Sequence, residues 1–92
     1  MITNRYYPSR FRQDHKRVKA QGKDIPLLME IMDRLQNEET LEASFVDHDL
    51  KGNWAGYREC HLSPNWLLVY IVEKEDDRIT FARTGSHSEI FD

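Results

Sequence analysis

Three strand candidates crowd into the second half of the chain, at Trp54–Leu62, Trp66–Val72 and Ile79–Thr84, the middle one the most hydrophobic run of all. The links between them, Leu62–Asn65 and Glu73–Arg78, are only a few residues long. Parallel neighbours need a crossover of a dozen or more residues, so links this short leave antiparallel hairpins as the solution. Strand side chains alternate faces. Tyr57, Glu59 and His61 therefore share one side of the first strand, and Arg58, Cys60 and Leu62 share the other.

The first half has a different period. Tyr6-Tyr7-Pro8 closes a short extended start, and Ser9 is the expected N-cap of a helix that runs through RFRQDHKRVKA to Gly22. Phe11, His15 and Val18 form its packing stripe, with His15 at the boundary of that stripe. Asp24 caps a second helix that carries Pro26 in its first turn and Ile25, Leu28, Ile31, Met32 and Leu35 at helical spacing. The Gly22-Lys23 link folds the pair into a hairpin. After Gln36 the segment NEETLEASFVDHDLKGN has no clear period and reads as a loop, with a short strand near Ser44–Val46. The sum is an α+β domain spanning residues 1–92, two amino-terminal helices packed on one face of a small, twisted, mainly antiparallel sheet.

A chain of 92 residues builds a modest core, which favours an open groove over a deep pocket. No stretch reaches transmembrane length, and the opening MITNRYYPSR lacks the apolar centre of a signal peptide, so a cytoplasmic protein with no membrane partner is expected. The single cysteine, Cys60, agrees with a reducing compartment and is expected in the core. Trp54, Trp66, Tyr57 and Tyr70 are likewise assigned mainly to packing.

The net charge of −3 conceals a segregation. Residues 1–23 carry seven Lys or Arg against one Asp, whereas residues 24–50 carry one Arg against eight acids. Arg10, Arg12, Lys16, Arg17 and Lys19 spread over the first helix. Such a surface binds a polyanion locally whatever the total charge, although a solvated helix face has the same composition.

Three histidines lie outside the first helix: His48 before the main strands, His61 near the end of the first, and His87 after the last. The meander permits them to converge, without requiring it. Converging histidines serve as metal ligands or as acid–base groups. No HExxH, CxxC or HxH pair pre-arranges two ligands on one element, which favours acid–base work near neutral pH over a metal-dependent hydrolase.

The stretch DHDLKGNWAGYRECHLSPNWLLVY, followed by ITFARTGSHSEIF, resembles the YafQ branch of the RelE-like toxins of bacterial toxin–antitoxin pairs. The resemblance runs from Tyr6 to Phe91, with the DH, GYR-acid-x-H, P-x-W-hydrophobic-Y and RTG-x-H elements in family order. It implies a RelE-like microbial RNase fold and a ribosome-dependent mRNA endonuclease, neutralised by a cognate antitoxin and acting in the ribosomal A site. It also implies that His48, His61 and His87 are active-site residues with Glu59 beside them, and that Phe91 lies near the bound mRNA. Asn65 stands where the family commonly has an aspartate, between Pro64 and Trp66.

Chemistry of this kind uses the RNA 2′-hydroxyl as nucleophile and requires no metal or other cofactor. The expected assignment has His61, assisted by Glu59 or His48, as base, Arg83 as the cation facing the phosphorane, and His87 as acid, with base and acid exchangeable among the histidines. The basic first helix would then meet rRNA phosphates. The competing reading is a toxin-fold module, inactive through Asn65, that acts only by binding its antitoxin.

Overall fold

A computed structural model describes residues 1–92. Its five strands form one sheet in the order β1-β5-β4-β3-β2. They are β1 (Asn4–Tyr6), β2 (His48–Asp49), β3 (Arg58–Ser63), β4 (Trp66–Glu73) and β5 (Arg78–Gly85). The hairpins β3–β4 and β4–β5 are antiparallel, as the short links require, and β2 pairs antiparallel with β3. Only β1 is parallel to its neighbour, lying along Arg78–Thr80 of β5.

Helices α1 (Ser9–Ala20) and α2 (Ile25–Gln36) cover one face. The end of α1 is a Schellman turn: Gly22 N–H donates to Lys19 O and Lys23 N–H to Val18 O, with Gly22 at φ +77. Asp24 caps α2 as expected, its carboxylate accepting from Leu27 N–H at 3.0 Å. Ser9, by contrast, lies inside the first turn of α1; the N-cap position belongs to Pro8, whose extended backbone starts the helix without a side-chain bond. Phe11 and Val18 of α1 and Leu28, Ile31, Met32 and Leu35 of α2 pack on Cys60, Leu62, Trp66, Leu68, Tyr70, Ile79 and Phe81 to form the main core. Cys60 is fully buried there, and its thiol is pushed up to about 12, mainly by burial.

Three local expectations change. The strand expected at Ser44–Val46 is a 3-10 turn at Ala43–Phe45, because Val46 adopts a left-handed backbone (φ 49) that cannot continue a ladder; the strand comes two residues later, at His48. The first long strand begins at Arg58 rather than Trp54, since Gly52–Trp54 is a second 3-10 turn and Gly56 lies at φ +94. After β5 comes an additional helix, α3 (His87–Phe91). Its start is a capping box in which Ser86 Oγ accepts from Glu89 N–H at 3.2 Å and Glu89 Oε1 accepts from Ser86 N–H at 2.8 Å.

Candidate active site

The face of the sheet away from α1 and α2 carries the site. Cross-strand pairing sets it directly: His48 lies opposite Glu59, Glu59 opposite Val69, and Val69 opposite Arg83, while His61 lies opposite Leu67 and Leu67 opposite Gly85. Leu67, Val69 and Ile90 make a small second core under this face, joined by Leu50, Trp54, Tyr57 and Phe91. That apolar patch seats α3 across the sheet.

Glu59 is buried at 6 % exposure between two imidazoles. Its Oε1 stands 3.3 Å from Nε2 of His61 and 3.6 Å from Nε2 of His48. A buried carboxylate needs partners, and two rings that can carry protons supply them. The second nitrogen of His48, Nδ1, lies 2.7 Å from Val46 O. The strained left-handed turn at Val46 thus aims a carbonyl at the ring, so that Nδ1 donates and Nε2 is left facing the carboxylate. The His48 and His61 rings lie 6.2 Å apart between centroids.

Beside them is a shallow groove of about 310 Å³ lined by His48, Leu50, Lys51, Trp54, Glu59, His87 and Phe91. His87, the first residue of α3, lies against Phe91 at 5.0 Å between centroids with the rings tilted at 48°, and Phe91 meets Trp54 edge-on at 5.6 Å. The sequence-predicted His48, Glu59, His61, His87 and Phe91 are therefore brought together on one face. The set has carboxylate and imidazole groups that can pass protons, an aromatic surface, and an exposed cation in Lys51. No three His, Cys, Asp or Glu side chains are arranged to close around a metal ion.

Arg83 departs from its expected role. It is 8 % exposed, and its guanidinium donates to both oxygens of Asp14 (2.6 and 3.3 Å) and to Glu89 O and Ile90 O (3.2 and 3.4 Å). With its donors engaged there it does not line the groove; Lys51 is the cation that does. Asn65 is exposed in a separate polar recess with Gln21, Lys23, Ser86, Ser88 and Glu89, against the start of α3. Of the basic helix, Arg10, Arg12, Lys16 and Lys19 are exposed, but Arg17 is engaged with Asp14, Thr84 O and Glu89.

Lys51 carries no motif that marks it in the sequence, and Trp54, expected in the core, lines the groove. Trp66 and Tyr70 are core residues, whereas Trp54 and Tyr57 lie half-buried beside the groove. Asp14 is likewise unmarked in the sequence as a buried acid. The capping-box pattern Ser86-x-x-Glu89 was the available signal for α3; Lys51 carried none beyond its nearness to His48.

The sequence matches the family described as "Bacterial toxin of type II toxin-antitoxin system, YafQ" over residues 4–92. The mRNA interferase toxin YafQ of Escherichia coli (strain K12) is 36% identical over 86 residues, which is 92% of this chain and 91% of that protein. A metal-bound toxin from Helicobacter pylori superposes with a TM-score of 0.91 at 38% identity, covering 99% of this chain and 100% of that one. YafQ in the E. coli DinJ-YafQ complex superposes with a TM-score of 0.86 at 34% identity, covering 97% and 98%. A match of this extent in both sequence and fold leaves one assignment: the chain belongs to the YafQ family of bacterial toxins of type II toxin–antitoxin systems.

Proposed function

We propose that this toxin is a ribosome-dependent mRNA endonuclease that cleaves by metal-independent acid–base catalysis and so inhibits translation. The observation that carries the reading is the pairing of His48 and His61 on the buried Glu59, with His48 and Glu59 lining the groove that also holds His87 and Phe91, and His61 at its side in a neighbouring recess. It agrees with the name mRNA interferase toxin borne by the E. coli relative.

In this reading the 2′-hydroxyl of the mRNA attacks the adjacent phosphorus. His61 or His48, held by Glu59, accepts the hydroxyl proton, and His87 donates a proton to the departing 5′-oxygen. Glu59 holds the rings in place and offsets the positive charge that the base gains. Lys51 replaces Arg83 as the cation nearest the developing phosphorane charge. Phe91 and Trp54 offer aromatic faces against which a base can stack. A groove this open has little means of fixing RNA by itself, which supports action on the ribosome. Arg10, Arg12, Lys16 and Lys19 are suited to rRNA phosphates.

A cognate antitoxin is the expected protein partner, as DinJ is in the complex of the E. coli relative. The bacterial cytoplasm, where ribosomes are, is the expected site of action. The test is cleavage of mRNA on programmed ribosomes with mapped RNA ends, with naked RNA and reactions treated with a transition-metal chelator that spares the ribosomal Mg²⁺ alongside. Ribosome-limited cleavage unaffected by chelator is expected. Equal cutting of naked RNA, a full-rate His61→Gln/His87→Gln variant, or loss of activity on chelation would overturn the ribosome, histidine or metal-independent part of the reading respectively.

A further inference from the structure

Two arginines and one aspartate hold α3 from both ends. Asp14 is fully buried on α1, and its Oδ2 accepts Thr84 N–H at 3.2 Å. β1 pairs with β5 only as far as Thr80, so the later part of β5 has a free edge there, and Asp14 fills it. The same carboxylate takes Arg83 at 2.6 Å through Nε and Arg17 at 2.9 Å through Nη1. From Asp14 the two cations diverge. Arg83 reaches the last carbonyls of α3, Glu89 O and Ile90 O. Arg17 reaches Thr84 O at 2.8 Å and the Glu89 carboxylate at 3.1 Å, beside the capping box that starts α3.

We infer that Asp14, Arg83 and Arg17 form a positioning unit that fixes α3, and with it His87 and Phe91, over the groove, so that Arg83 serves cleavage through α3 without touching the phosphate. The inference rests on the proposed role of His87. A five-residue helix is too short to hold itself in water, and its order must come from outside contacts. The guanidinium fork suits this task because one planar group can bind a carboxylate and still reach two carbonyls; an ammonium at the same place is a single point charge. Asp14 in turn keeps two buried or half-buried arginines compensated. The unit also ties the basic α1, a candidate ribosome contact, to the helix that carries the proposed acid.

The test combines amide hydrogen exchange on the free toxin with kcat and KM for cleavage on programmed ribosomes. The variants are Arg83→Lys, the double variant Asp14→Asn/Arg83→Met, and His87→Gln as a reference. The double variant leaves no uncompensated buried charge at Asp14 and Arg83, so it keeps the fold accessible if the single one does not. Positioning predicts that strand amides in β3–β5 stay protected while those of Ile90 and Phe91 lose protection. It also predicts that kcat falls about 10- to 100-fold with KM within about threefold, because the misplaced group acts in the transition state. Arg83→Lys with α3 fully protected and kcat lost would mean direct contact with the phosphate and overturn the inference. Loss of α3 protection with kcat retained would overturn it as well. If His87→Gln cleaves at full rate, the reading of His87 as acid fails on its own, since exchange on the free toxin reports the hold on α3 independently.

Discussion

Oε1 of Glu59 is shared by two imidazoles, standing 3.3 Å from Nε2 of His61 and 3.6 Å from Nε2 of His48. The arrangement follows from register, since His48 is the cross-strand partner of Glu59 and His61 lies two residues further along the same face. Glu59→Gln preserves shape but removes the charge that would stabilise an imidazolium. The variant is expected to fold and to lose roughly 10²-fold in cleavage rate, the scale of a disabled general base. Single-turnover kinetics on programmed ribosomes measure it. A loss below threefold would leave the buried carboxylate as a structural partner of the two rings with no part in cleavage.

Asn65 gives a contrast. It stands where the family commonly has an aspartate, but its recess is lined by Gln21, Lys23, Ser86, Ser88 and Glu89, separate from the groove that holds Glu59 and His48. Asn65→Asp is therefore expected to change the rate by less than about threefold, with Glu59 and the histidines supplying the base. A tenfold rise in the same assay would show that a carboxylate in the β3–β4 turn takes part.

What the sequence made legible follows a pattern. Strand alternation put Glu59 with His61 and sent Cys60 and Leu62 to the core, and the short links made the hairpins unavoidable. Hydrophobic period and capping located α2. The interior pairing of Arg83 was not legible, because Asp14 is 69 residues away and reads as one acid in a basic helix until β5 is laid beside α1. Face alternation also misleads in β5, where a register shift opposite Val69 and Tyr70 sets Phe81 across from Tyr70 and Arg83 across from Val69. The brief β2 was displaced for a related reason, since the left-handed turn at Val46, a β-branched residue, has no sequence signature.

Cys60 is expected to be inert while the protein is folded. Burial, followed by the nearby Asp47 and Glu59 charges, raises its thiol to about 12. Because the folded value lies above the unfolded one of about 8.5, the associated stability is present below pH of about 8.5 and is lost progressively as pH rises toward the folded value. A disulfide reagent at pH 8 should therefore react at the rate of unfolding and accelerate with denaturant. Rapid labelling of native protein would contradict the burial of this residue.

Gly85 joins β5 to α3 at φ +152, and a Cβ there would lie 2.5 Å from Nη2 of Arg17 and 3.0 Å from Oε1 of Glu89. The positive φ favours glycine, and a side chain there would also push the tips of those two groups aside. Gly85→Ala is expected to destabilise by about 1–3 kcal/mol through backbone strain and crowding, and to loosen α3 before the sheet. Chemical denaturation gives the first quantity and amide exchange at residues 87–91 the second. Unchanged exchange in α3 would show that the crowding is relieved elsewhere.

Glu89 makes the hold on α3 sensitive to acid. The Ser86 backbone N–H, then Gln21 and Arg17, lower its carboxyl below the ordinary value, while desolvation opposes them. A folded value below the unfolded one of about 4.3 means that its contribution is present above pH of about 4.3 and is lost as pH falls through the folded value. The Ser86 amide should therefore titrate with a midpoint below about 4.3 in NMR, and protection in α3 should decay over the same range while β4 stays protected. Glu89→Gln should abolish that titration and weaken α3 already at pH 7, where the wild-type carboxylate is charged. A Ser86 midpoint at or above about 4.3 would mean that the carboxylate is not held by the capping box, and the first turn carrying His87 would need another anchor.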